Sequence, residues 1–205
     1  MKTALILATL LASAFIWASC GDDNGTTPDG ATPAATTPDG STPATNETPA
    51  GVGTPQDFEG SLEPIERTFE QGVLPTALVG VAGANQTLWD RLVFEFQAGA
   101  PNYRIEYVEP PITDCGSGEP IEVRGEAFIQ VRMFPAQAHD LEGQPTIEST
   151  RIEQNGPSMV EAVQTCDFEG EVIWVLGVTE EVPFRDFTLL PGTFTWQIVV
   201  DTRHP

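Results

Sequence analysis

Two histidines, His139 and His204, are the residues best suited to catalysis in this 205-residue chain. A zinc hydrolase needs clustered His and Glu ligands around an open coordination position, and two histidines, one next to the last residue, do not supply that cluster. His139 and Asp140 can be drawn as a dyad that activates Ser117 or Ser158, but no G-x-S-x-G turn is present. Paired carboxylates can cleave glycosides, yet thirty Asp and Glu residues make that criterion unselective. We therefore predict no catalytic residue, no metal and no cofactor.

Aromatic side chains give the chain a means of binding sugars, because ring faces cover sugar C–H surfaces while nearby polar groups orient the hydroxyls. Trp89, Tyr103 and Trp196 are the aromatic candidates for ligand binding. Trp174 lies inside an apolar run and is predicted to belong to the core instead.

Arginines are scarce here, and Arg91 and Arg185 are candidates to bind carboxylates of a ligand. The alternative is structural: in so acidic a protein, a carboxylate such as Asp90 or Asp186 can hold each arginine. The sequence leaves both interpretations open.

The N-terminus has the pattern of an export signal: Lys2, an apolar run over Thr3–Ala18, and small residues just before Cys20. The run is shorter than the roughly 20 residues of a membrane span. It resembles the signal of bacterial lipoproteins, with Trp17 where an aliphatic residue is usual. This predicts a signal peptide over 1–19 and lipidation of Cys20, and the alternative is ordinary secretion with a free N-terminal cysteine.

Residues 20–56 contain a ten-residue repeat, "TTPDGATPAA" followed by "TTPDGSTPAT". The segment is rich in proline and Pro-Asp-Gly turns and has almost no aliphatic side chains. Burial of apolar surface therefore cannot offset the conformational entropy lost on ordering. We predict a disordered linker that separates a folded domain from the membrane.

The net charge of −21 limits the partners. Because the only lysine, Lys2, lies in the predicted signal, the cations that remain are arginines. Such a chain is repelled by nucleic acid and by anionic lipid, so membrane contact is predicted through the N-terminal lipid alone. Solubility, a high-salt habitat or calcium binding can each explain the acidity, although no D-x-D-x-D-G loop occurs.

Cys115 and Cys166 remain after Cys20 is assigned. In an exported protein a single remaining pair most simply forms a disulfide, which would close a loop of about 50 residues. The alternative is two buried free thiols.

After an acidic lead-in over 57–75, short segments alternate apolar and polar residues with period two, as in "RLVFEFQ" and "YRIEYVE". Gly- and Pro-rich breakers separate them. Over 76–205 the pattern predicts an all-β, antiparallel β-sandwich of about eight or nine short strands.

The segments "DRLVFEF", "PNYRIEYVEPP", "GSGEPIEVRGEAFIQVRMFPAQAHD", "FEGEVIWVLGV", "PFRDFTL" and "IVVDTRHP" together resemble the AMIN-like domain of bacterial lipoproteins. That domain is related to the AMIN module found beside N-acetylmuramoyl-alanine amidases and in secretins. The resemblance covers nearly all of Val79–Pro205. It implies a non-catalytic β-sandwich that binds peptidoglycan or localises its owner in the cell envelope.

Two functional hypotheses follow. The first is a lipid-anchored module on the extracytoplasmic side of the membrane that binds cell-wall peptidoglycan or glycan. The second is a scaffold domain whose sheet edge or face docks another envelope protein.

Overall fold

The computed structural model describes residues 58–70, 75–192 and 194–205. This part of the chain forms eleven β-strands and no helix, which confirms the predicted all-β fold. The predicted signal peptide 1–19, Cys20 and the linker 20–56 lie outside the described residues. The strands are β1 (Ile65–Arg67), β2 (Thr76–Asn85), β3 (Trp89–Gln97), β4 (Asn102–Val108), β5 (Ala127–Phe134), β6 (Ala136–Gln137), β7 (Arg151–Glu153), β8 (Met159–Phe168), β9 (Glu171–Val178), β10 (Phe184–Leu189) and β11 (Thr195–Arg203).

The strands form two sheets. A six-stranded sheet has the order β1-β4-β5-β9-β8-β7, and a five-stranded sheet has the order β10-β11-β3-β2-β6. The pairing of β2 with β6 is parallel, and the other pairings between these strands are antiparallel. No helix in the described ranges is long and apolar enough to cross a membrane.

The alternating residues of β3 show why the sheets pack face to face. Leu92, Phe94 and Phe96 are fully buried, while the residues between them are only partly buried. Successive side chains of a strand point to opposite faces, so period-two alternation turns one face toward the core.

Trp174 of β9 lies at the centre of this core with no exposed surface, as the sequence predicted. Its ring meets the edge of Phe94 from the opposite sheet, with centroids 5.8 Å apart and planes at 66°. Edge-to-face contacts of this kind are a favourable aromatic geometry. The two sheets therefore share one hydrophobic core.

The strand count exceeds the predicted eight or nine because the structure adds β1 and β6, which are only three and two residues long. Segments that short carry no readable periodicity. One of them, β1, lies within the segment 57–75 that was expected to be a lead-in, and it pairs with β4 at the edge of the six-stranded sheet.

A long loop between β4 and β5 is attached to β8 and β9. A disulfide joins Cys115 of the loop to Cys166 of β8, with a sulfur–sulfur distance of 1.99 Å. The Cys115 N–H also donates to the Thr165 carbonyl at 3.1 Å. Farther along, the loop backbone at Arg124 passes so close to Gly177 of β9 that a Cβ there would lie 1.8 Å from the Arg124 oxygen.

Candidate functional site

Three of the predicted ligand-binding residues meet on the outer face of the five-stranded sheet. Trp89 and Arg91 lie on β3 and Arg185 lies on β10, with β11 between these two strands. Asp201 of β11 is in register with Arg185 on one side and with Arg91 on the other. The pairing of three strands therefore places Arg185, Asp201 and Arg91 in one row.

Asp201 holds both arginines of this row. It accepts hydrogen bonds from Arg91 Nε at 2.7 Å, Arg91 Nη2 at 2.9 Å and Arg185 Nε at 3.0 Å. The carboxylate is fully buried, whereas the Arg91 and Arg185 side chains are 27% and 25% exposed. The hydrogen bonds to Asp201 raise the pKa of Arg91. Two cations sharing one carboxylate leave a local excess of positive charge.

Aromatic rings contact both guanidinium groups of the row. The Arg185 guanidinium lies over the rings of Phe58 and Trp89, at 4.4 Å and 4.7 Å from their centroids. Arg91 lies 4.9 Å from the centroid of Phe187. Cation–π contacts of this kind orient an arginine without consuming its N–H donors. One face of Trp89 is therefore occupied by Arg185 and is not open to a sugar.

Arg203 is a functional candidate that sequence reasoning missed. It lies two residues beyond Asp201 on β11, hence on the same face, and its register partner is Trp89. Its side chain is exposed. In the described ranges it is the one arginine without a carboxylate partner. The others have one each or more: Arg67, Arg91, Arg104, Arg124, Arg132, Arg151 and Arg185. The sequence signal that could have found Arg203 is its spacing of two residues from Asp201, which places both side chains on one face of a strand.

We call this surface the arginine face and define it by Trp89, Arg91, Arg185, Asp201 and Arg203. Three arginines against one aspartate give these five residues a net charge of about +2, in a chain whose total is −21. A local positive potential in an acidic protein selects anions, and arginine selects planar carboxylates in particular.

Tyr103 and Trp196, the other two predicted ligand residues, lie away from the arginine face. Tyr103 is only 3% exposed, and its hydroxyl donates to Asp186 at 2.7 Å. Burial raises the pKa of Tyr103. Both side chains pack against Phe69, with centroid distances of 6.1 Å and 6.2 Å. These contacts show that Tyr103 and Trp196 pack at the margin of the core.

The residues considered for a catalytic dyad do not come together. His139 Nδ1 lies 2.8 Å from Asp167, not beside a carboxylate of Asp140. Asp140 instead accepts backbone N–H groups of its own loop. Ser117 donates its hydroxyl to Asp114 at 2.9 Å in an exposed turn.

Ser158 and His204 share a partner in Asp90. This fully buried carboxylate accepts hydrogen bonds from the Ser158 N–H and hydroxyl and from the Met159 N–H, at 2.8–2.9 Å. His204 Nε2 lies 3.1 Å from its other oxygen. Because Ser158 is itself fully buried and bonded to the aspartate, the group joins β3 to the start of β8 and has no exposed nucleophile. Within the described residues, no group of three or more His, Cys, Asp or Glu side chains is arranged to hold a metal.

The fold and the arginine face together define a β-sandwich domain with a charged, ring-lined surface on one sheet. Residues 76–204 match the family model of the AMIN-like domain. The chain therefore belongs to the AMIN-like domain family, and the predicted resemblance is confirmed. No curated protein matches the chain.

Family membership indicates a domain of the bacterial cell envelope, often one related to peptidoglycan. Domains of this family are generally non-catalytic binding domains. The arginine face therefore lies on a domain whose family is typical of the cell envelope and of binding.

Proposed function

We propose that this protein is a non-catalytic lipoprotein, anchored through Cys20 on the extracytoplasmic side of the membrane, whose AMIN-like domain binds peptidoglycan through the arginine face. The observation that carries the proposal is Arg203, an exposed arginine without a carboxylate partner in the described residues, beside two arginines already oriented by Asp201. Peptidoglycan stem peptides offer carboxylates, which arginine binds through two parallel hydrogen bonds.

The surroundings of the arginines support a ligand that is both anionic and partly apolar. The next row across the same three strands holds Phe187, Val199 and Val93 in register. Arg91 uses Nε and Nη2 on Asp201, and a guanidinium carries five N–H donors, so donors remain for a ligand. Because Asp201 and the rings hold Arg91 and Arg185 in place, little side-chain entropy would be lost on binding.

The test is co-sedimentation of residues 21–205 with purified cell-wall sacculi. Arg203→Glu should weaken retention about tenfold or more, because it replaces a charge-assisted hydrogen bond with repulsion of the ligand carboxylate. The matched control is Arg104→Glu, the same charge change on β4 of the other sheet, which should leave retention close to wild type. Equal losses in both variants, or no retention of the wild type, would contradict the proposal.

A second candidate is docking of another envelope protein, favoured by an apolar hairpin tip. Leu189 at the end of β10 is 44% exposed, and Leu190 and Phe194 between β10 and β11 are 56% and 75% exposed. Exposed apolar patches mark interaction sites when they are contiguous. Failure to sediment with sacculi, together with co-purification of an envelope protein that is lost in Phe194→Ser, would favour this function over the first.

A further inference from the structure

A cavity of about 270 Å³ lies where the loop after β6 meets β8, apart from the arginine face. Its walls combine polar and apolar groups, the usual character of a small-ligand site. The polar walls are His139, Thr150, Gln164 and Asp167, and the apolar walls include Ala138 and Ile147. The proposed function uses none of these residues, and only His139 among them was considered from the sequence, as a member of a catalytic dyad.

The orientation and tautomer of His139 are fixed by Asp167. One oxygen of this carboxylate accepts the Ala138 N–H at 2.9 Å, and the other lies 2.8 Å from His139 Nδ1. A carboxylate oxygen accepts, so Nδ1 donates and the neutral ring keeps its lone pair on Nε2. The backbone is held as well, because Gln137 Nε2 donates to the His139 carbonyl at 2.9 Å. Within the described residues, Nε2 of His139 has no hydrogen-bond partner, and the side chain is 38% exposed.

Gln164 places an amide on the same cavity. Its backbone is fixed, since its N–H donates to the Thr150 carbonyl at 2.8 Å. Its side-chain Nε2 is buried without a hydrogen-bond partner in the described part of the chain. No bond from Nε2 therefore holds the amide in its present orientation, so turning its N–H groups toward a ligand in the cavity would break no hydrogen bond of that nitrogen. A buried amide of this kind gains a hydrogen bond when a ligand supplies an acceptor.

We propose that this cavity binds a secondary amide with a small apolar substituent, the chemistry of an acetamido group on an N-acetylated sugar. The ligand N–H donates to His139 Nε2, its carbonyl accepts from the Gln164 amide, and its methyl group packs against Ala138 and Ile147. A sugar that carries a hydroxyl group in place of the acetamido group has no methyl group to pack against the apolar wall. That the amide belongs to a cell-wall sugar rests on the proposed function, whereas the preference for an amide rests on the cavity.

The test is a nuclear magnetic resonance titration of residues 21–205 with N-acetylglucosamine and, in parallel, with glucose. N-Acetylglucosamine should shift the His139 ring nitrogens and the Gln164 side-chain amide, with a Kd of about 1–10 mM for so small a ligand. Glucose should shift neither at the same concentration. Equal shifts with both sugars, or no shift of these two side chains, would overturn the proposal.

A variant pair then tests the amide directly. Gln164→Glu keeps the size of the side chain but removes its N–H donors, and it should weaken N-acetylglucosamine binding at least tenfold. Gln130→Glu makes the same change on β5, outside the cavity, and should bind like wild type. Equal affinity of the Gln164 variant and wild type would overturn the proposal.

The two proposals can fail separately. Retention on sacculi that depends on Arg203, without acetamido-specific shifts at His139, would reject the cavity site alone. Acetamido-specific shifts without any retention on sacculi would instead reject the proposed function and leave the amide site standing.

Discussion

Glu161 of β8 illustrates how single residues keep their charge inside this domain. Its side chain is only 1% exposed, yet it accepts hydrogen bonds from the Arg124 N–H at 2.6 Å, Arg124 Nε at 2.9 Å and Arg151 Nη1 at 2.6 Å. Burial by itself raises the pKa of the Glu161 carboxyl, but these bonds outweigh it, so the pKa lies below its ordinary value. The two arginines and the loop that carries Arg124 are thereby tied to β8.

We expect Glu161→Gln to lower the free energy of unfolding by about 2 kcal/mol at neutral pH. Because the folded-state pKa is depressed, the ionised carboxylate stabilises the fold above its unfolded pKa of about 4.3, and this contribution is lost as the pH falls through the folded value. The difference between wild type and variant should therefore shrink as the pH is lowered from about 5 through the folded-state pKa of Glu161. Urea denaturation across this range measures it.

The control for this prediction is Glu153→Gln. Glu153 is 66% exposed and lies 3.9 Å from Arg124, so the same substitution removes only a weak surface pair. It should change stability by less than about 0.5 kcal/mol. A constant difference between wild type and the Glu161 variant at all pH values would contradict the assigned role.

At the scale of elements, the domain depends on close contact between β9 and the loop from β4 to β5. At Gly177 a Cβ would meet the Arg124 oxygen at 1.8 Å and the Arg124 carbonyl carbon at 2.8 Å. Both are backbone atoms, which cannot turn aside as a flexible side chain can. Next to this contact, the Glu126 N–H donates to the Val178 carbonyl at 2.8 Å, so the loop is attached there.

Gly177→Ala should therefore destabilise the domain by about 1–3 kcal/mol, as overpacking does in other closely packed sites. Urea denaturation gives the change in the free energy of unfolding. The matched control is Gly80→Ala on β2, where a Cβ would make only an ordinary 3.5 Å contact with Glu95. If both substitutions had the same small effect, the loop would not depend on this approach.

The sequence predicted the long strands more clearly than the short edge strands. Long strands such as β3 and β5 were predicted because eight or nine alternating residues define a face. The strand β7, of three residues, has only a weak signal of this kind, and its place beside β8 depends on pairing with a longer partner. Short edge strands form where a longer strand offers unpaired backbone groups.

At the scale of the whole molecule, charge is distributed unevenly. The chain carries thirty acidic residues, whereas the arginine face has three arginines and a single carboxylate, which binds two of them. An acidic body with one basic surface orients an anionic partner toward that surface and repels it elsewhere. In the proposed function, the predicted linker over 20–56 would add to this asymmetry, because a domain held near the wall has a higher effective concentration there.

We expect the full-length protein to fractionate with membranes, and Cys20→Ala to release it into the soluble fraction. Acyl chains contribute about 0.8 kcal/mol for each buried methylene, so their loss removes the anchor. Incorporation of radiolabelled palmitate into wild type but not into the variant provides the direct measurement. Ser19→Ala, which keeps a small residue before Cys20, is the control and should still be labelled. Labelling of the Cys20 variant would contradict the assignment.

The candidate site was only partly predictable. Trp89, Arg91 and Arg185 were singled out by residue type and scarcity, and the structure places them together. Their shared partner Asp201 was not singled out, because it lies 110 residues from Arg91 and 16 from Arg185 in the chain. Scarcity identifies an unusual residue, but only strand pairing decides which residues meet.

The sequence by itself determined the all-β class and the faces of the longer strands, because alternation is a local property of a pleated chain. The family was indicated by the resemblance of particular segments. Only the tertiary structure decided the register that aligns Arg185 with Asp201 and Arg91, and the position of Arg203 beside them. Register depends on which side chains fill the core between two sheets, and that packing joins residues far apart in sequence. Local chemistry thus sets the strands, and long-range packing sets the site.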